Sequence, residues 1–163
     1  MARQRLTHVD RSGRARMVDV SGKTPSHRKA VARGEVRMKP QTARLIKGNR
    51  IAKGDVLAVA QVAGVAAAKR TDEWIPMAHT LPLTAVRLTF ELDDRGGAVR
   101  IEAVASTVDR TGVDMEALTA VSAAALTIYD MCKAVDREMT IERIRLVGKT
   151  GGRSGTFRRT GER

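Results

Sequence analysis

The spacing of apolar and polar residues predicts seven regular elements. Four segments alternate apolar with polar side chains, some imperfectly, which is typical of strands that bury one face: residues 28–38, 85–92, 98–108 and 139–147. Two alanine-rich segments favour helices, residues 56–70 and 112–135, and Asp55 is placed to cap the first of them. A short helix is also predicted at 40–48, because Pro40 suits a first helical turn and Gly48 a C-terminal stop. The predicted order along the chain is strand, helix, helix, strand, strand, helix, strand.

Without its additional helix, this order is the βαββαβ arrangement of a ferredoxin-like fold. We expect an α+β structure in which an antiparallel sheet carries helices on one face. A single domain of residues 1–163 is predicted, with a basic arm at 1–16 and a glycine-rich basic tail at 150–163. The alternation at 85–92 leaves few very polar residues for the other face of the sheet, so we expect partner subunits to cover it.

The helix predicted over residues 112–135 is almost free of charge between Glu116 and Asp130. Asp114 is placed to cap its start. Fourteen residues at about 1.5 Å of rise separate Glu116 from Asp130 by about 21 Å, so these two carboxylates cannot act on one bond. Asp130 and Lys133 are three residues apart and can meet. The acid and base candidates therefore gather at the C-terminal end of this helix.

The net charge of +12 lies in the two ends of the chain. Residues 1–50 hold 14 Lys or Arg against 3 acids, whereas residues 51–150 hold 12 against 14. A basic end attracts polyanions such as nucleic acid, anionic lipid or a nucleoside triphosphate. On charge alone, a solvated basic terminus is the favoured interpretation.

Several familiar sites are absent from the sequence. It has no GxxxxGK[ST], GxGxxG, HExxH or CxxC motif, and its three histidines are too scattered to indicate a metal site. The single cysteine, Cys132, cannot form an internal disulfide, and we expect a buried apolar role for it in a reducing compartment. No apolar run reaches the roughly 20 residues that cross a bilayer, so we expect a cytoplasmic protein.

The remaining candidates for chemistry stand at the ends of elements. Lys53 precedes a helix whose free N–H groups attract anions, and it could hold a phosphate or exchange protons. A solvated lysine is the commoner situation, and Asp130 with Lys133 could equally be an ordinary surface ion pair. His79 lies in a proline-bounded loop, where a structural role is more frequent than a catalytic one.

Taken together, five blocks of residues indicate a particular protein family. They are RMVDVSGK at 16–23, KGDVLAVAQVAGVAAAKRT at 53–71, IPMAH at 75–79, TGVDMEALTAVSAAALTIYDMCKAV at 111–135 and KTGGRSG at 149–155. In the order and spacing of these blocks, the chain resembles the MoaC family of cyclic pyranopterin monophosphate synthases. The resemblance extends from Leu6 to about Arg158, and the long-helix block is highly specific.

The resemblance implies a lyase of molybdenum cofactor (molybdopterin) biosynthesis. Such an enzyme rearranges a cyclised dihydroguanosine triphosphate into cyclic pyranopterin monophosphate and releases diphosphate. It implies no metal and no organic cofactor. It also implies homohexamers built from dimers, with active sites formed where protomers meet.

The resemblance also implies roles for single residues. Lys53 and Lys133 become the acid and base candidates, with Asp130 as the catalytic carboxylate. The residues expected to contact substrate are Met77, Ala78, His79, Asp114, Met115 and Glu116. The further candidates for the triphosphate are Arg28, Lys69, Arg70 and Lys149.

The chain departs from the family pattern at three positions, two of which are among the expected substrate contacts. The usual GVEMEAL has Asp114 as its first acid here, which shortens the carboxylate by one methylene. The usual IPLCHP has Ala78 in place of cysteine and Thr80 in place of the second proline. A role that needs the thiol is lost, whereas backbone contacts are retained.

Two alternatives come from other functional classes. A nucleic-acid-binding module could use the basic N-terminal half and the sheet, but such readers stack bases on exposed aromatic residues. Only Phe90 of the four aromatic residues falls in a predicted strand. A non-catalytic assembly subunit would bind substrate or partners without forming product.

Overall fold

The computed structural model describes residues 12, 14, 17–152 and 155–162. Its strands are β1 (Ser26–Arg37), β2 (Leu83–Asp93), β3 (Ala98–Asp109), β4 (Thr140–Thr150) and β5 (Phe157–Arg158). Its helices are α1 (Pro40–Lys47), α2 (Val56–Ala68), α3 (Thr71–Trp74) and α4 (Asp114–Cys132). The strands pair antiparallel in the order β2-β3-β1-β4-β5, and the helices pack on one face. The predicted α+β class and the ferredoxin-like order of the first four strands are confirmed.

The central strand β1 is built for close packing against α4. Its inward-facing Ala30, Ala32 and Val36 are fully buried, as the alternation predicts. A Cβ atom on Gly34 would lie 2.6 Å from Cγ1 of Val121, so α4 packs directly on the backbone there. The register of β1 against β4 shifts between Arg33 and Glu35, so the strand is irregular at Gly34.

The helices α2 and α4 lie antiparallel and unusually close. Asp55 caps α2 by accepting from the backbone N–H of Ala58 at 3.0 Å, as predicted. A Cβ atom on Gly64 would lie 2.9 Å from the carbonyl oxygen of Ala120 in α4. This contact puts the start of α2 beside the end of α4. Among the residues described, no helix combines the length and the apolar character that crossing a membrane requires.

Some predicted boundaries and roles differ from the structure. The long helix spans Asp114–Cys132 rather than 112–135, and its N-cap is Val113 rather than Asp114. Asp114 is the first helical residue because its carboxylate pairs with Lys149 instead of the helix N–H groups. Helix α3 and strand β5 were not predicted, since segments of four and two residues carry no periodicity. The predicted basic arm at 1–16 lies almost wholly outside the described residues.

The expectation that the outer face of the sheet carries few very polar residues is wrong. That face carries ion pairs, among them Arg33 Nε with Glu102 Oε2 at 2.8 Å and Arg37 Nη1 with Glu35 Oε1 at 2.8 Å. The prediction rested on the apolar positions of β2, whereas β1, β3 and β4 carry charges on this face and Glu91 of β2 itself pairs with Arg100. This face therefore gives no support to coverage by a partner subunit.

Candidate active site

At the C-terminal end of α4, Asp130 lies between two lysines. Lys53 Nζ is 2.7 Å from Oδ2 of Asp130, and Lys133 Nζ is 2.7 Å from Oδ1. Lys53 Nζ also donates to the backbone carbonyl of Asp130 at 2.9 Å, where the helix dipole favours a cation. Helix α2 begins three residues after Lys53. Because Asp55 caps this helix, it fixes the turn that presents Lys53. We call Lys53, Asp130 and Lys133 the lysine–aspartate cluster.

Electrostatics keep Asp130 ionised. Its pKa is lowered to about 2 because hydrogen bonds from Lys133 and then from Lys53 stabilise the carboxylate. The side chains remain open to water, with exposed fractions of 46% for Lys53, 56% for Asp130 and 51% for Lys133. The cluster therefore holds two lysine side chains about one fixed negative charge.

The other end of α4 opens onto a cavity of about 370 Å³, which we call the α4 pocket. Its walls come from the start of α4, the adjacent ends of β1 and β4, and the loops before β1, after α3 and between β3 and α4. Its titratable lining residues are Lys23, Arg28, Lys29, His79, Arg110, Asp114, Glu116 and Lys149. Five of these eight are lysines or arginines, so the pocket suits an anion.

The two carboxyl groups of the α4 pocket offset little of this positive charge. Lys149 Nζ lies 2.7 Å from Oδ2 of Asp114, while Oδ1 of Asp114 is buried without a hydrogen-bond partner. Glu116 is only 4% exposed, and burial raises its pKa to about 7, with a smaller contribution from the charge of Asp114. Near neutral pH, Glu116 is therefore only partly ionised.

Hydrogen bonds to backbone carbonyls hold the walls of the α4 pocket. Nε2 of His79 donates to the carbonyl of Val18 at 2.9 Å, which requires the tautomer with its proton on Nε2. Residues 17–20 therefore lie over the pocket without forming a strand. Arg28 is fixed by the carbonyls of Asp109 at 3.3 Å and Arg110 at 3.2 Å.

The glycines after β4 allow the chain to pass close to Arg28. A Cβ atom on Gly152 would lie 1.6 Å from Nη1 of Arg28, and one on Gly151 would lie 2.1 Å from the carbonyl oxygen of His27. Both glycines also have positive φ, at +99° for Gly151 and +78° for Gly152. A larger residue at either position would displace Arg28 or the backbone of β1.

The structure divides the predicted site residues into three places. The lysine–aspartate cluster holds the three catalytic candidates. The α4 pocket brings together eight predicted substrate contacts: Arg28, Met77, Ala78, His79, Asp114, Met115, Glu116 and Lys149. Lys69 and Arg70 lie outside it, at the end of α2, where both line a separate surface depression with Val62 and Val65.

Three cationic pocket residues were missed by the sequence reasoning. Lys23 ends the first family block, Arg110 directly precedes the long-helix block, and Lys29 follows Arg28. Their positions beside the recognised blocks were the available signal. Lys29 and Arg28 both lie near the start of β1, which forms part of the pocket wall.

The lysine–aspartate cluster and the α4 pocket are at opposite ends of one helix. Fourteen residues of α4 separate Glu116 from Asp130, a rise of about 21 Å. No residue of the cluster lines the α4 pocket. Within one chain, the two places do not form a continuous site. In the described part of the chain, no group of three or more His, Cys, Asp or Glu side chains is arranged to hold a metal ion.

The fold and the two places define a class of protein: an α+β protein with a cationic pocket for a polyanion and a separate lysine–carboxylate centre. The model of the MoaC family matches residues 17–152. The cyclic pyranopterin monophosphate synthases of Thermomicrobium roseum and Roseiflexus sp. are each 60% identical to the chain, over 94% and 93% of its length and 93% and 96% of their own. The synthase of Pelotomaculum thermopropionicum is 57% identical over 96% of the chain and 92% of its own length.

The chain belongs to the MoaC family. Its activity is that of a cyclic pyranopterin monophosphate synthase, a lyase of molybdenum cofactor biosynthesis. The resemblance stated from the five sequence blocks is confirmed.

Proposed function

We propose that the chain converts a cyclised dihydroguanosine triphosphate into cyclic pyranopterin monophosphate and diphosphate, at a site that combines the α4 pocket with a lysine–aspartate cluster. The observation that carries this proposal is the cluster itself. Two lysine side chains share one ionised carboxylate at 2.7 Å, and the five Lys and Arg side chains of the pocket offer a place for a triphosphate.

The α4 pocket is suited to the triphosphate for electrostatic reasons. Its Arg and Lys side chains outnumber its carboxylates, and the Arg28 guanidinium is held rigidly by two carbonyls. Guanidinium and ammonium groups donate charge-assisted hydrogen bonds to phosphate oxygens. Met77 and Met115 add apolar surface against which a purine-derived ring can pack.

The lysine–aspartate cluster is suited to the proton transfers of the reaction. Opening the base and closing a new ring require protons to leave and join ring atoms, and lysines can serve as acid and base. Closing a cyclic phosphate on the sugar also needs a proton to leave the attacking hydroxyl, while cations stabilise the departing diphosphate. Asp130 would fix the positions of Lys53 and Lys133 throughout.

The distance of about 21 Å along α4 requires a second protomer in this scheme. Leu126 and Met115 lie on one side of α4, because eleven residues bring the helix round to within about 20°. Leu126 is 53% exposed, and Val62 on the neighbouring α2 is 70% exposed. If two protomers pack these apolar surfaces about a twofold axis with their α4 helices antiparallel, the pocket of one faces the cluster of the other.

The same packing would give Lys69 and Arg70 a role. Both line the depression beside Val62, so in such a dimer they would lie near the protomer boundary. We propose that dimers of this kind assemble into a hexamer. A cytoplasmic location is also proposed, since Cys132 is buried as a free thiol whose pKa burial raises to about 11.

The test is complementation between two inactive variants, Lys133→Ala and Arg28→Ala. Each is expected to lose most product formation alone. Co-expressed at equal levels, half of the twofold dimers would be mixed, and each mixed dimer would hold one intact site of two, which restores about a quarter of wild-type activity. No recovery in demonstrably mixed oligomers would contradict a shared site. Substrate binding without any product from the wild-type protein would indicate the non-catalytic assembly subunit instead.

The proposed apolar interface, which includes Leu126 of α4 and Val62 of α2, is tested by Val62→Asp. Val108→Asp serves as the control, because Val108 is an exposed valine of the sheet. Sedimentation should show smaller species for Val62→Asp alone, because an unpaired charge in an apolar interface is costly. Unchanged assembly of the Val62 variant would remove this face from the interface.

The nucleic-acid alternative gains no support from the described sheet. Phe90 packs against the core rather than on the outer face, and that face carries paired arginines and glutamates. Base stacking on exposed sheet aromatics would need the opposite arrangement.

A further inference from the structure

Residues 155–162 return along β4 after the glycines at the α4 pocket. Phe157 and Arg158 form β5, which pairs with Lys149 and Gly148 of β4. The backbone N–H of Arg159 donates to the carbonyl of Val147 at 2.8 Å, and its side chain donates to the carbonyl of Leu146 at 2.8 Å. This segment, which we call the return segment, covers the edge of β4 and lies beyond the residues matched by the family model.

Glu162 anchors the return segment on the outer face of the sheet. Its carboxylate accepts from Nη1 of Arg33 at 3.0 Å and also pairs with Nε of Arg145. The Glu162 side chain is only 13% exposed. Hydrogen bonding from Arg145 is the main cause that lowers its pKa, so the carboxylate stays charged at neutral pH.

The two arginines make this anchor necessary. Arg33 of β1 and Arg145 of β4 stand directly opposite each other in register. Like charges in that position repel, and Glu102 is bonded to Arg33 alone. Glu162 is the described carboxylate that bridges both guanidinium groups. Without it, the return segment would keep its backbone pairing with β4 but lose its side-chain anchor on the outer face, while the two arginines repelled each other.

The first half of the return segment is connected to the α4 pocket in two ways. Lys149, which pairs with Phe157 along the backbone, extends its ammonium group to Asp114 inside the pocket. Gly151 and Gly152, which lead toward the return segment, lie against His27 and Arg28. The Gly155 N–H donates to the Gly152 carbonyl at 3.1 Å, which ties the start of the return segment to these glycines. The anchor therefore holds two of the proposed phosphate ligands, Arg28 and Lys149, from outside the pocket.

We propose that Glu162 is a positioning residue, which fixes the return segment so that Lys149 and Arg28 keep the geometry for a triphosphate. The inference rests on the proposed function of the α4 pocket. Glu162 does not contact the substrate; it acts through β5 and the glycine turn. Its loss should therefore weaken substrate binding without slowing proton transfer at the lysine–aspartate cluster.

The experiment compares Glu162→Ala and Glu162→Gln with Glu138→Ala in the full chain. Glu138 is an exposed carboxylate that pairs with Lys39, so its removal changes the net charge equally at a distant place. For Glu162→Ala we expect KM for the cyclised dihydroguanosine triphosphate to rise roughly fivefold to tenfold with kcat within about twofold, as misplaced binding groups act on affinity. Glu162→Gln should give a smaller rise, since it keeps the shape but loses the charge. Glu138→Ala should match the wild type.

A second readout separates this inference from the proposed function. Binding of inorganic triphosphate to the Lys133→Ala protein is measured by calorimetry, with and without Glu162→Ala. We expect Glu162→Ala to lower the affinity for inorganic triphosphate by the same fivefold to tenfold, because this binding involves no proton transfer at the lysine–aspartate cluster. Full turnover by Lys133→Ala would overturn the proposed function but leave this affinity difference in place.

Three results would overturn the positioning role. One is an unchanged KM and triphosphate affinity in Glu162→Ala. Another is a loss of kcat equal to the loss of affinity. The third is a lower thermal stability of Glu162→Ala together with losses of both kcat and substrate affinity. That result would show that the return segment stabilises the whole sheet rather than the pocket.

Discussion

The two ends of α4 carry carboxyl groups whose pKa values move in opposite directions. Glu116, near the start of the helix, is 4% exposed, and burial raises its pKa to about 7. Asp130, near the other end, is half exposed, and hydrogen bonds from Lys133 and Lys53 lower its pKa to about 2. Burial disfavours a charge, whereas paired cations favour it.

The two places also differ in how far they are closed off from water. The α4 pocket is enclosed by elements of its own chain and can hold a ligand as it stands. The lysine–aspartate cluster has its charges arranged but remains open to water, which weakens electrostatic effects on a reaction. A second surface must cover the cluster before it can work efficiently. This difference is the structural reason for expecting a shared active site.

The largest expected effect comes from the open cluster. Lys53→Ala or Lys133→Ala should lower kcat by about a thousandfold, because each removes an acid or base candidate. The matched control is Lys47→Ala, which breaks a similar exposed lysine–aspartate pair, with Asp94, that shares no residue with the cluster. Product formation by the purified variants measures the effect. Turnover near the wild-type rate in either cluster variant would remove that lysine from catalysis.

The enclosed carboxyl should appear in the pH dependence of stability. The folded-state pKa of Glu116 is raised from 4.5 to about 7, so its stabilising effect is fully present below about pH 4.5 and is lost as pH rises through 7. Across this range the free energy of unfolding of the wild type should fall by about 3 kcal/mol relative to Glu116→Gln. Chemical denaturation at several pH values measures the difference, with Glu138→Gln as the exposed control. Parallel curves for wild type and Glu116→Gln would show that Glu116 titrates normally.

A smaller effect is expected for the lysine inside the pocket. Lys149→Ala removes one charge-assisted contact and leaves Asp114 without its 2.7 Å partner. KM should rise about tenfold while kcat changes little, since an interaction made equally before and during the reaction affects binding alone. Steady-state kinetics measure both parameters. Lys39→Ala, at an exposed pair with Glu138, serves as the control. A loss confined to kcat would move Lys149 into the chemistry.

The smallest effect concerns the helix contact that lies between the two places. In Gly64→Ala, the new Cβ would lie 2.9 Å from the Ala120 carbonyl oxygen and 2.5 Å from Leu88. Overpacking should outweigh the gain in helix propensity and lower the free energy of unfolding by about 1 kcal/mol. Gly22→Ala, with no atom near its added Cβ, is the control in thermal denaturation. A more stable Gly64 variant would show that α2 can move away from α4 freely.

The sequence predicted the elements that have a clear period or cap. The four predicted strands and three predicted helices agree with the structure to within a few residues at each end. Asp114 was misjudged, because a salt bridge to a lysine 35 residues away competes with capping. The charged outer face was missed because its ion pairs join strands that are distant in sequence, such as β1 and β3.

The sequence by itself determined the family, the α+β class and the meeting of Asp130 with Lys133, because these follow from local blocks and helical spacing. Only the tertiary structure decided that Lys53 joins them, that Lys23, Lys29 and Arg110 enter the α4 pocket, and that Lys69 and Arg70 do not. It also decided that Glu162 would bridge Arg33 and Arg145. The physical reason is range: periodicity and capping act within a few residues, whereas a site depends on which distant segments the packing brings to the same end of a helix.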